Sequence, residues 1–173
     1  MSSVPSQPSY PICLSSDQIT RYLPHRGEAL FAQQIEIHRN NRFNGIARWS
    51  AHSKLLEGHF PNFPVVPGVM VIEALAQLAG VGLLVADPAT QALKGQRLGV
   101  LASIRKATFK RPILPDVDVF YQIECRHMSD NAVNVSSEVL LAPEQPHSLE
   151  KAINVAKLDV LMISTEFHKM LVT

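Results

Sequence analysis

One segment concentrates the chemistry of this chain. Residues 58–80 read GHFPNFPVVPGVMVIEALAQLAG: a histidine in a proline-rich loop, a glycine, then an apolar run carrying a single acid. A lone buried carboxylate is costly, so Glu73 must be paired, hydrogen-bonded or protonated. Gln77, four residues on, falls on the same helix face, and its amide can hold the carboxyl in one direction. An apolar site favours the neutral acid, which can donate a proton. His59 is the natural proton acceptor near neutral pH. Gly68 follows Pro67 at the start of the helical run, where the first N–H groups lack internal partners and carry partial positive charge. A glycine there lets a ligand atom come close, and such N–H groups can hold a carbonyl oxygen as negative charge builds on it. Base, acid and oxyanion donor together suit removing a proton beside a carbonyl and protonating a leaving group on the next carbon. That is elimination of water from a 3-hydroxyacyl compound.

Each group alone also has a plainer role. Glu73 fits a carboxyl facing a water pocket or an interchain contact, His59 a structural histidine bonded to loop backbone, and Gly68 a tight turn. The fourteen positions between His59 and Glu73 do not by themselves bring the two side chains together. No metal is expected, because His52 and His59 lack a ligand spacing with cysteine or acids. Neither a phosphate loop nor a dinucleotide fingerprint is present.

The elements that must position these groups follow from pattern. A short helix is predicted over Ser16–Tyr22, stopped by Pro24. Alternating residues predict hairpin strands at 29–38 and 42–51 around Asn40-Asn41. The loop that follows is too rich in proline for regular structure. A helix runs from Val69 to Ala86 and is closed by Asp87-Pro88. Further strands are read at 97–109, 117–128, 132–141 and 151–163, which makes five or six in all. A helix apolar on nearly all sides must be enclosed, and the economical enclosure is a sheet curled around it, an α+β layout. The sheet has edges, and pairing with a second chain would bury one, so a dimer is expected.

The 173 residues suit one domain, with a Ser/Pro-rich tail over 1–15 and the domain over 16–173. At 46% hydrophobic, 18% charged and net charge +1, nothing draws the chain as a whole to nucleic acid or membranes. The tail lacks the basic start and apolar core of a signal peptide. Cys13 and Cys125 form no metal or redox pair; a reduced cytoplasmic chain is the simpler reading, and a single disulfide stays open. Val65–Ala86 is long enough to span a bilayer. Pro67, Glu73 and Gln77 oppose that, since a charge near the centre of a membrane helix costs about 2.5–3.5 kcal/mol.

The HFP loop, PGV turn and EALAQ helix closely resemble the signature of the FabZ-type 3-hydroxyacyl-[acyl-carrier-protein] dehydratases. The stretches YLPHRGEALF and LGVLASIRKATFKRPILP resemble two further segments of that family in the same order, so the likeness covers roughly residues 15–165. The resemblance implies a hot-dog fold, a curved antiparallel sheet wrapped around one long central helix. It implies a homodimer, sometimes a trimer of dimers, with His59 of one chain against Glu73 of the other. His59 would take the C2 proton, Glu73 would protonate the departing hydroxyl, the Gly68 N–H would polarise the thioester carbonyl, and Gln77 would orient Glu73. No cofactor is implied beyond the phosphopantetheine of the acyl carrier protein that bears the substrate. Arg105, Lys106, Lys110 and Arg111 would supply a landing patch for that acidic partner, against the plain alternative of solvated surface charge. Phe63, Phe109 and Met70 would line or gate an acyl tunnel, unless they are simply core.

The FabA type, which also isomerises the double bond, carries Asp where this chain has Glu73, and this favours simple dehydration. Two departures stand out. The family usually has a small or polar residue in place of Phe63, and Pro-Gly-Asp in place of Pro115-Asp116-Val117-Asp118. With the extra tail and the APEQPHS hairpin tip, these suggest an accessory polyketide, polyene or special lipid route rather than housekeeping fatty acid synthesis. The rival readings are a hot-dog acyl thioesterase, whose helix acid would activate water, and a non-catalytic acyl-binding subunit.

Overall fold

The computed structural model describes residues 9–93, 97–142 and 152–166. In chain order its elements are β1 (Ile12–Ser15), α1 (Ser16–Ile19), β2 (Ala32–Arg39), β3 (Arg42–Ala47), α2 (Gly68–Ala86), α3 (Pro88–Ala92), β4 (Arg97–Phe109), β5 (Val119–Ser129), β6 (Ala132–Leu141) and β7 (Ile153–Glu166). All the strands join in one seven-stranded sheet, ordered β1-β2-β3-β5-β6-β7-β4, and every pairing is antiparallel. The sheet curls over α2, which gives the α+β hot-dog architecture.

The helix is the core. By length and composition α2 could cross a membrane, yet 72% of that stretch lies buried inside the protein. The sheet therefore already covers its apolar surface. Val71, Leu75, Leu78 and Val81 are fully enclosed, and each such side chain contributes about 1.5–3 kcal/mol. Helix and sheet approach most closely at two glycines. A Cβ on Gly82 would meet the Phe43 ring at 2.5 Å, and one on Gly45 would meet a Leu78 methyl at 2.6 Å. The Tyr121 hydroxyl, buried in β5, donates to the Val71 carbonyl at 3.1 Å, and burial pushes its pKa well up. The helix ends where Pro88 forbids continuation. Asp87 then caps α3 through the Thr90 N–H at 2.7 Å and is held by His127 at 2.9 Å.

Several expected boundaries shift. Residues 12–15, read as the end of a tail, form β1, with Leu14 turned into the core. The helix expected to Tyr22 ends at Ile19, because the Arg21 and Tyr22 N–H groups bond three residues back in tight turns. β2 begins at Ala32 and not at 29, since a 3₁₀ turn over Gly27–Ala29 precedes it and Gln77 takes the Phe31 N–H. β3 stops at Ala47, before turns at Ser50–Leu56. β5 runs 119–129, and β7 extends to Glu166. The hairpin tip over 143–151 and residues 1–8 lie outside the described residues.

The two ends of the sheet differ. β1 has 4 residues and β4 has 13. Along β4, every residue from Leu101 to Phe109 is exposed. A long edge strand with Leu101, Ile104 and Phe109 uncovered is a template for pairing.

Candidate active site

The loop before α2 presents the histidine. His59 Nδ1 lies 2.8 Å from the Val65 carbonyl oxygen, which can only accept. Nδ1 therefore carries the proton, and Nε2 presents its lone pair. Backbone bonds brace the ring. His59 N–H donates to Leu56 O at 2.9 Å, Val65 N–H to His59 O at 2.9 Å, and Val66 N–H to Ile113 O at 2.8 Å. The Phe60 ring stacks on the imidazole with centroids 4.5 Å apart. His59 opens on a cleft of about 350 Å³ that it shares with Gly68, Phe109, Lys110 and Arg111. The N–H groups of Gly68 and Val69 meet no acceptor among the described residues, and Gly68 borders this cleft, so the helix start offers a free donor there. The space beside the Gly68 Cα is not left for a ligand, however. A Cβ there would lie 2.8 Å from the Phe109 ring. Gly68 is needed for the packing of Phe109.

The helix presents the acid on another side. At about 100° per residue, Glu73 is turned about 140° from Gly68 around the helix, while Gln77 is turned only about 40° from Glu73. Gln77 is wired on both ends of its amide. Nε2 donates to Ala29 O at 2.8 Å and to Glu73 Oε1 at 3.0 Å, and Oε1 accepts from the Phe31 N–H at 2.9 Å. Gln77 is 2% exposed, so its geometry is fixed and it fixes Glu73 in turn. The Glu73 side chain is 40% exposed and faces a second cleft of about 370 Å³ that runs past Gly80 and Leu84 to His127. Within one chain, base and acid thus open on different clefts.

The other candidates divide in the same way. Phe109, Lys110 and Arg111 border the His59 cleft; Arg105 and Lys106 do not. They lie farther back along β4, exposed. Lys110 Nζ donates to Asn154 Oδ1 at 2.7 Å. Phe63 lines neither cleft and is 61% exposed, so it does not narrow a pocket in this chain. Met70 is core. Asp116 keeps the turn that glycine usually makes: its φ is +61°, a left-handed conformation that Asp tolerates, and its carboxyl accepts from the Ala51 N–H at 3.3 Å. The sequence reading assigned no role to His25, whose Nε2 stands 3.4 Å from Glu73 Oε1. The only signal was its place in YLPHRGEALF.

A curled sheet on a buried helix, with a histidine loop at the helix start and an acid mid-helix, defines a class. The FabA-like domain matches residues 30–141. The 3-hydroxyacyl-[acyl-carrier-protein] dehydratase FabZ of Clostridioides difficile (strain 630) is 31% identical over 132 residues, covering 76% of this chain and 89% of the relative. The FabZ of Bacillus subtilis (strain 168) is 32% identical, covering 64% and 76%. The chain belongs to the FabA-like family, and within it to the FabZ-type dehydratases. Among solved structures, the dehydratase heterocomplex ApeI:P from Xenorhabdus doucetiae superposes with a TM-score of 0.65 at 16% identity, over 88% of this chain and 94% of that one. A hypothetical thioesterase with coenzyme A from Streptococcus pneumoniae TIGR4 gives 0.52 at 15% identity, over 76% and 84%. These two likenesses establish the shared fold.

Proposed function

We propose that this chain dehydrates 3-hydroxyacyl thioesters, carried on acyl carrier protein, to trans-2-enoyl thioesters. His59 Nε2 removes the C2 proton. The Gly68 N–H holds the thioester oxygen as charge develops on it. Glu73 gives its proton to the C3 hydroxyl, which leaves as water. Proton transfer by a placed acid or base is worth about 10²–10⁴ in rate, and the two groups must flank one substrate to act together.

The partition of these groups between two clefts carries the reading. His59 and Gly68 share one, Glu73 and Gln77 the other, so a complete set needs the loop of one chain set against the helix of a second. The exposed β4 edge offers the seam for such a homodimer. A trimer of these dimers is the family's expectation for a larger assembly. The cleft running from Glu73 along Gly80 takes the acyl chain. Lys110 and Arg111, at the mouth of the His59 cleft, meet the acidic carrier and its phosphopantetheine arm, while Arg105 and Lys106 contribute only at longer range. No resident cofactor enters these steps. Two free cysteines fit a reducing cytoplasm.

The test is an absorbance assay of 3-hydroxyacyl and 2-enoyl thioesters on carrier protein. Wild type should interconvert them, and His59→Ala and Glu73→Gln should not. A folded, dimeric wild type that interconverts nothing would remove the reading.

A further inference from the structure

The mechanism above leaves one motif unused. In Leu23-Pro24-His25-Arg26, the arginine is spent on its own turn: Nη1 donates to Leu23 O at 2.6 Å and to His25 O at 2.7 Å, and Nη2 to Thr20 O at 2.9 Å. Leu23 is anchored in the core, and its N–H bonds Ile19 O at 3.1 Å. The backbone of His25 is therefore stapled. Its side chain, 32% exposed, stands in the Glu73 cleft with Nε2 3.4 Å from Glu73 Oε1. Its Nδ1 is buried with no partner. A buried unpaired nitrogen costs about 1–3 kcal/mol, and a fold retains such a cost mostly where a site requires it.

Both nitrogens near the acid converge on one oxygen. Gln77 Nε2 donates to Glu73 Oε1, and His25 Nε2 faces that same atom. Oε1 accepts from Gln77 and has His25 Nε2 within ion-pair distance, so the acid's own proton belongs on the other oxygen. We infer that His25 is a positioning residue: with Gln77 it holds Glu73 Oε1 and leaves Oε2 to carry the proton toward the substrate hydroxyl. The inference rests on the dehydratase reading and adds a residue to it. It also gives the Arg26 staple a purpose, because a donor must be rigid to select one oxygen of two.

The experiment separates the acid step from the base step. Exchange of the C2 protons of a saturated acyl thioester into deuterated water needs His59 and the Gly68 N–H but not Glu73. His25→Phe should lower kcat for dehydration about ten- to a hundredfold, the scale of a misplaced catalytic group. Its KM should stay within about twofold, and its C2 exchange should remain at the wild-type rate. His25→Gln, whose Nε2 reaches as far as the imidazole Nε2, should recover most of kcat. Unchanged dehydration in His25→Phe overturns the inference. So does an equal loss of dehydration and exchange that Gln does not repair, since that marks a purely structural histidine. A wild type that exchanges C2 protons but never dehydrates instead removes the functional reading, and the role of His25 with it.

Discussion

The two halves of the site are built from different materials. The His59 half is a loop braced by main-chain hydrogen bonds, with Phe60 and Phe63 at 57% and 61% exposure. The Glu73 half is one face of a helix sunk in the core, and its orienting amide is 2% exposed. Main-chain bonds tolerate many side chains, whereas a buried amide with four partners tolerates almost none. Altering the loop half should therefore cost activity without stability, whereas altering the buried amide of the helix half should cost both.

The largest effect expected is from removing the reacting groups. His59→Ala and Glu73→Gln should each cut kcat by about 10²–10⁴, with melting temperatures close to wild type because neither change empties the core. Next is Gln77→Leu, which strands the Phe31 N–H and the Ala29 carbonyl and frees the Glu73 carboxyl. It should destabilise by about 1–3 kcal/mol in denaturant titration and lower kcat as well. Phe63→Ala in the loop half should stay within about 0.5 kcal/mol of wild type. Equal stability losses for these two would break the contrast.

Two glycines on one helix sharpen it. The added methyl of Gly82→Ala strikes the Phe43 ring, which is 1% exposed, and should cost about 1–3 kcal/mol. Gly68→Ala strikes the far end of the Phe109 ring, which is 44% exposed in the single chain. Its cost should be about 1 kcal/mol or less, and Phe109→Ala should relieve it. The smallest effect is that of a glycine at the turn that ties β4's exit to the loop after β3. Asp116→Gly should be nearly neutral, since glycine suits φ +61°, while Asp116→Val should lose about 1–2 kcal/mol. Thermal melts of the pair would check this.

What the sequence disclosed tracks how local the signal was. α2 stood out because an apolar run that long has to be enclosed, and β4 because 13 residues lie between a loop and a proline turn. β1 was hidden, since two inward residues, Ile12 and Leu14, are too few to stand out from a Ser/Pro segment. α3 was hidden because a five-residue helix hangs on the Asp87 cap. In the site, Gln77 beside Glu73 was legible at helical spacing, whereas its bonds to Ala29 and Phe31 span more than forty residues and needed the fold. His25 was missed for the same reason. The space expected for a ligand at Gly68 proved to hold Phe109, a residue forty-one positions away that no local pattern places there.

The central claim is that a working site takes its base from one chain and its acid from another. A heterodimer isolated through two different tags, with His59→Ala in one chain and Glu73→Gln in its partner, tests this directly. One of its two sites then keeps both His59 and Glu73, so it should regain about half of the wild-type kcat per dimer, while either variant homodimer stays inactive. A heterodimer as inactive as the homodimers would contradict the shared site and return both groups to a single chain.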